Sequence, residues 1–195
     1  MSNEIPNPRK TETNVDRLFV DRWSPRSFDS TPIPEEDLKT IFEAARWAPS
    51  CFNEQPWTFF YATDGPDREA FNSVLNKFNR EWTAGAPLLG FSATRRFFEK
   101  NGKPNTAAEH DLGAAWISFT FQARMMGYYT HAMAGFDHDK VYDVLNLSRD
   151  KWVVVAAFVI GKRGPKEALN EDLQQSESPN ERKPLAEVMH KGPLG

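Results

Sequence analysis

Between Ala107 and Met126 the chain is apolar in a way that few folds can accommodate. Leu112, Ala115, Trp116, Phe119 and Met126 recur at helical spacing on one stripe, and Ala114, Ile117, Phe121 and Met125 occupy much of the remaining surface. A helix that is apolar nearly all round has to be covered on every side. Gly127 supplies its C-terminal stop. A chain of 195 residues makes one domain. Such a helix therefore lies at the centre, or sets one side against its own core and the other against a second subunit.

The other segments fall around it. Asn14 opens a short helix through Arg22 with Val15, Leu18 and Phe19 on one side, and Pro25 ends it by disfavouring helix at Ser24. A second helix begins at Pro32–Glu36, where a proline and acids suit an N-terminus, and Leu38, Ile41, Phe42 and Ala45 form its stripe. Trp57–Thr63 reads as a strand. Asp64-Gly65-Pro66 then turns into a helix carrying Phe71, Val74, Leu75 and Phe78. Strands follow at Pro87–Thr94, Tyr128–Met133 and Trp152–Ile160, with a loop at 95–105 and a helix at Asp137–Asn146. The unbroken apolar run at 153–160 implies a strand covered on both faces. From Gly161 onward the chain is polar and proline-punctuated, and reads as an extended arm.

Several function classes are excluded by the sequence. A net charge of −3 argues against a nucleic-acid-binding module. The nine-residue run Trp152–Ile160 is too short to span a membrane, and the first thirteen residues contain no secretory h-region. These features together suggest a cytoplasmic protein. One cysteine, Cys51, excludes an internal disulfide and a CxxC pair. No GxGxxG, phosphate-loop or HExxH motif is present, and His110, His131, His138 and His190 are too scattered to suggest a metal site.

Three short constellations carry chemistry. In Arg22-Trp23-Ser24-Pro25-Arg26, an extended backbone puts Arg22, Ser24 and Arg26 on one side. Two guanidinium forks and a hydroxyl match phosphate oxygens, although the same residues equally suit a solvated, charged helix end. In Pro49-Ser50-Cys51-Phe52-Asn53-Glu54-Gln55-Pro56, prolines restrict a helix-to-strand loop that offers hydroxyl and amide groups able to read a heteroaromatic edge, or simply to turn the chain. In Met133-Ala134-Gly135-Phe136-Asp137, a strand ends at a glycine that permits close backbone approach, and Asp137 caps the next helix.

Taken in order, these segments resemble the FMN-dependent nitroreductase family. The matching residues are Arg22-x-Ser24-x-Arg26-x-Phe28, Ala48-Pro49-Ser50 with Asn53-x-Gln55-Pro56-Trp57, and Asn79-x-x-Trp82 before Ala86-Pro87. Asp111-x-Gly113-x-Ala115, Gly135-Phe136-Asp137 and Arg182-Lys183-Pro184-Leu185 complete the set. Cys51 stands where a serine is common, Trp82 where some members carry lysine, and Ala134 where several carry an acid.

The resemblance implies an α+β, three-layer fold with a central mixed or antiparallel sheet of four to five strands, in an intertwined homodimer. It implies a flexible tail at 1–13, an FMN-binding domain at 14–164, and an arm at 165–195 that completes the domain. Arg22, Trp23, Ser24 and Arg26 would hold the phosphate and ribityl chain, with Arg182 or Lys183 closing on the phosphate. Pro49, Ser50, Cys51, Asn53 and Gln55 would cover the flavin from the partner subunit. Asn79 would be a polar contact to the flavin, and Met133, Ala134 and Gly135 would lie beside its N5. The implied activity is ping-pong reduction of nitroaromatics, quinones or similar acceptors by NAD(P)H, with no catalytic side chain. The alternatives are a flavin-binding protein without turnover, or a relative with dehalogenating or flavin-cleaving chemistry.

Overall fold

The computed structural model describes residues 6–193. Four strands, β1 (Trp57–Ala62), β2 (Leu88–Arg95), β3 (Tyr129–Met133) and β4 (Trp152–Gly161), form one antiparallel sheet in the order β1-β2-β4-β3. Among the described residues seven α-helices accompany it: α1 (Arg17–Asp21), α2 (Glu35–Arg46), α3 (Gly65–Val74), α4 (Lys77–Thr83), α5 (Ala108–Met125), α6 (Lys140–Val144) and α7 (Glu171–Ser176).

Strand alternation sorts the core into two layers. Leu88, Phe158 and Ile160 face α2 and α5, meeting Leu38, Ile41, Ala45, Ala115, Phe119 and Ala123. Leu89, Phe91, Ala157 and Val159 face the other way, against Phe71, Val74 and Trp82 and the α6 residues Val141 and Tyr142. The pairing of β2 with β4 shifts between Ser92 and Ala93, passing over Val155, and this bulge returns Val154 to the α3–α6 side. β4 lies between two neighbours and both its faces are packed, which explains its continuous hydrophobicity.

Within the chain, α5 is covered on one side and open on the other. Leu112, Ala115, Phe119 and Ala123 are buried against the chain's own core, while Ile117 and Met125 remain 39% and 66% exposed. Gly127 ends the helix at φ +83°.

Other expectations are corrected. The first helix is shorter than residues 14–22 because Asp16, not Asn14, caps it, accepting the Leu18 N–H at 2.8 Å. The helix expected to run on through Phe78 is broken at Leu75. There Asn76 starts α4 by accepting the Asn79 N–H at 2.8 Å, and Leu75 bridges to Phe136. Asp137 is not the cap of α6: it accepts the Asp139 and Lys140 N–H groups and so shapes the turn before the helix, whose N-cap is Asp139 and which is confined to Lys140–Val144. The arm is not extended throughout: Asn170 caps α7, which buries Leu173 in the core with Leu169 before it.

Candidate active site

Pro25 keeps residues 22–26 extended, and burial alternates as an extended chain requires: Trp23 and Pro25 are buried, while Arg22, Ser24 and Arg26 are half-exposed. These three line a cleft of about 530 Å³ whose opposite wall is Ser176, Ser178, Asn180 and Arg182 from the arm. The Trp23 ring is itself packed edge-on to Tyr129, with the Arg163 guanidinium 5.6 Å from its centre. Lys183 diverges. It reaches toward Glu187 at 3.9 Å and lines a separate groove with Leu185 and Val188, so Arg182 is the cation that enters the cleft.

The cleft is cationic and uncompensated. Among the described residues the side chains of Arg22 and Arg26 donate no hydrogen bond and pair with no carboxylate, and the Arg26 Nε is buried without a partner. Burial, then the nearby charges of Arg182 and Arg9, hold the Arg22 guanidinium below its ordinary pKa. Arg9 is held low in the same way by burial and Arg182, while its guanidinium ties the carbonyls of Val20, Arg22 and Asn180 together. Crowded cations that repel one another are relieved by an anion, and a phosphate fits their fork geometry.

His131, on β3, joins this cleft although nothing in its sequence neighbourhood marks it. Its Nδ1–H donates to the Pro25 carbonyl at 2.8 Å, and its ring packs on Trp82 at 4.7 Å. Burial, helped by Arg26 and Arg22, pushes its pKa down to about 4 against the pull of the Pro25 and Ser24 carbonyls, so the ring is neutral near pH 7. The period-2 alternation of β3, which puts residue 131 on the same side as Tyr129 and Met133, is the only sequence signal that could have placed it.

The loop after α2 forms a different feature. Phe52, Asn53 and Gln55 all adopt left-handed conformations, with φ of 53°, 58° and 49°. Such conformations are costly outside glycine and persist only where neighbours fix them. Here the Ser50 Oγ accepts the Gln55 N–H, the Gln55 side-chain amide donates to the Asn53 carbonyl, and the Cys51 N–H donates to Asp111, the latter at 3.0 Å. Phe52 projects with 90% of its surface exposed, and Pro49 is exposed as well. None of these residues lines the arginine cleft of the same chain. Among the described residues no hydrogen bond joins the Cys51 thiol to a histidine.

The third constellation ends β3. Met133 is buried, Ala134 exposed and Gly135 half-exposed. The Gly135 carbonyl accepts from the Asn76 N–H and from the Asn79 side-chain amide, each at 3.0 Å. Asn79 in turn accepts from the Trp82 indole at 3.1 Å. The Asn79 side chain is thus buried and bonded within the protein, where it holds Gly135. A Cβ at Gly135 would fall on the amides of Asn76 and Asn79. The Gly135 N–H donates to nothing among the described residues, leaving a backbone donor available. Through Asn79, Trp82 and His131, one run of contacts joins this peptide to the cleft.

The model of the nitroreductase family matches residues 20–81, which contain the first two constellations. A solved structure described as an oxidoreductase containing FMN is 39% identical, covers 98% of both chains and superposes with a TM-score of 0.91. A Streptomyces coelicolor protein described as an NADH dehydrogenase/NAD(P)H nitroreductase is 29% identical over 70% of this chain and 77% of its own length. A Desulfovibrio desulfuricans structure described as a nitroreductase in complex with FMN shares 20% identity over 95% of this chain and 100% of its own, with a TM-score of 0.72, and speaks to the fold alone.

Proposed function

The chain belongs to the nitroreductase family, and on that premise we propose that it is an FMN-dependent oxidoreductase that uses NAD(P)H to reduce electron-poor acceptors such as nitroaromatics or quinones. The observation that carries this reading is the convergence of Arg22, Arg26 and Arg182 on one cleft without a carboxylate partner. That donor set fits the terminal phosphate of FMN, and the serines beside it suit the ribityl hydroxyls.

Bound there, FMN supplies hydride chemistry that no side chain of the protein has. The chain's own groups bind, orient and shield. The arginines fix the phosphate, the Gly135 N–H offers a donor to the ring edge, and Asn79 keeps that peptide in place. The 49–55 loop faces away from the cleft of its own chain, so it covers the cleft of a second copy, with Phe52 as an aromatic wall. A homodimer also accounts for the open side of α5 and for Phe19, which is 54% exposed and edge-on to Phe121 at 4.7 Å. Residues 14–164 then form the flavin-binding body, and the arm from 165 completes it. No helix among the described residues is long and apolar enough to cross a membrane, and a cytoplasmic setting fits the reading.

The direct test is spectroscopic. Purified protein should carry a flavin absorption spectrum, release FMN on denaturation, and bleach anaerobically with NADH or NADPH. Protein that neither retains nor binds FMN would sink the reading.

A further inference from the structure

One carboxylate in this neighbourhood is used in an unusual way. Glu177, just past α7, is only 2% exposed, yet it sits beside a cleft built from arginines. Its oxygens are turned away from those guanidinium groups and onto backbone. Oε2 accepts the Arg26 N–H at 2.9 Å, and Oε1 accepts the Ser27 N–H at 2.9 Å and that of Arg26 at 3.1 Å. Its charge acts on Arg163, the buried guanidinium beneath the same segment. The neighbours of Glu177 in sequence, Ser176 and Ser178, are wall residues of the cleft.

The two walls come from parts of the chain some 150 residues apart. Besides Glu177, the Ser27 hydroxyl donates to the Pro165 carbonyl and the Gly164 N–H donates to the Ser27 carbonyl. Those two bonds fix where the arm departs. At the cleft the arm is fixed twice more: Arg9 donates to the carbonyls of both Arg22 and Asn180, and Glu177 grips the amide of Arg26, the residue whose side chain lines the cleft. We propose that Glu177 is a positioning residue for the anion cleft: by gripping the Arg26 and Ser27 amides it sets the Arg26 guanidinium and the Ser176–Arg182 wall at the spacing a phosphate requires. It does this without forming an ion pair with Arg22, Arg26 or Arg182, because its oxygens are directed at backbone amides. The inference rests on the phosphate-binding reading given above.

The test compares FMN with riboflavin, which lacks the phosphate, by quenching of flavin fluorescence in the full-length protein. Glu177→Ala leaves two amides without their acceptor, and FMN should bind about tenfold more weakly, while riboflavin affinity changes by less than about threefold. Glu177→Gln keeps one acceptor oxygen and should recover part of the FMN affinity. A purely structural role would weaken both flavins together. Parallel losses, an unchanged FMN affinity, or failure of the glutamine variant to fold would each overturn the proposal. Inorganic phosphate, read as a rise in melting temperature, repeats the comparison without flavin. Wild type stabilised by phosphate but indifferent to flavins would overturn the flavin reading, and Glu177 would then be judged by whether Glu177→Gln loses that stabilisation.

Discussion

The Asp111 carboxylate, in the first turn of α5, accepts the backbone N–H of Cys51 at 3.0 Å. Asp111 is 3% exposed, so this bond is shielded from competing water. It fixes the loop carrying Phe52 and Asn53 to the same helix whose outer side is uncovered in a single chain. Whatever packs on α5 therefore meets the loop in a set position. The left-handed residues of the loop are held from both ends, and Cys51 serves as a link in that restraint.

Arg22→Ala should discriminate between flavins. Charge-assisted hydrogen bonds contribute about 1.5–3 kcal/mol each, so loss of one guanidinium should weaken FMN binding by at least about tenfold. Riboflavin should be much less affected. Calorimetric titration of both ligands checks this, and equal losses would remove the phosphate role from Arg22.

Gly135→Ala places a methyl where the Asn76 and Asn79 amides already lie. Overpacking of this kind costs about 1–3 kcal/mol. The variant should melt at lower temperature and bleach more slowly with NAD(P)H, because the peptide held by Asn79 has to move. Unchanged melting and unchanged reduction would show that the close approach is not needed.

His131 makes stability depend on pH in a defined window. The unfolded chain takes up this proton near 6.5, whereas the folded chain resists until about 4. The contribution is complete above the unfolded value and is lost as pH falls from about 6.5 toward 4. At about 1.4 kcal/mol per unit it reaches about 3 kcal/mol. His131→Phe keeps a ring against Trp82 and removes the titrating nitrogen. Urea unfolding midpoints should decline less steeply across this window for the variant than for wild type; identical slopes would rule His131 out as their source.

Composite sites predict complementation between subunits. Arg22→Ala and Asn53→Ala chains should each be impaired alone. Mixed dimers of the two should regain one intact site, because the cleft of one chain would meet the loop of the other. A fully active monomer in sedimentation, or no recovery in mixed dimers of folded parents, would refute this arrangement.

Much of the architecture was legible because local chemistry decided it. The proline and acids before α2, its apolar stripe, and the two-sided run of β4 each depend on residues close in sequence. The alternation of Arg22, Ser24 and Arg26 was readable for the same reason, since Pro25 enforces it. What escaped depended on choices between similar groups or on distant partners. Asn14 and Asp16 are both good caps, and only the bond to Leu18 separates them. Asn76 broke a helix whose apolar spacing continued past it. Glu177 was invisible because its partners are backbone amides 150 and 151 residues away, which carry no sequence signature. Lys183 and Arg182 are adjacent cations, and only the path of the arm decides which one enters the cleft.

The strand order has a consequence for how the chain reaches its native state. β4 is the last strand in sequence yet takes an interior place, and among the described residues it is the only strand to which β3 is bonded. Without residues 152–161, β2 lacks one of its two neighbours and β3 has no strand to pair with among the described residues. Seating β4 between them is a long-range event of the kind that slows folding. The arm that walls the arginine cleft follows β4 in sequence, so both walls of the cleft come together only when the two ends of the chain have met.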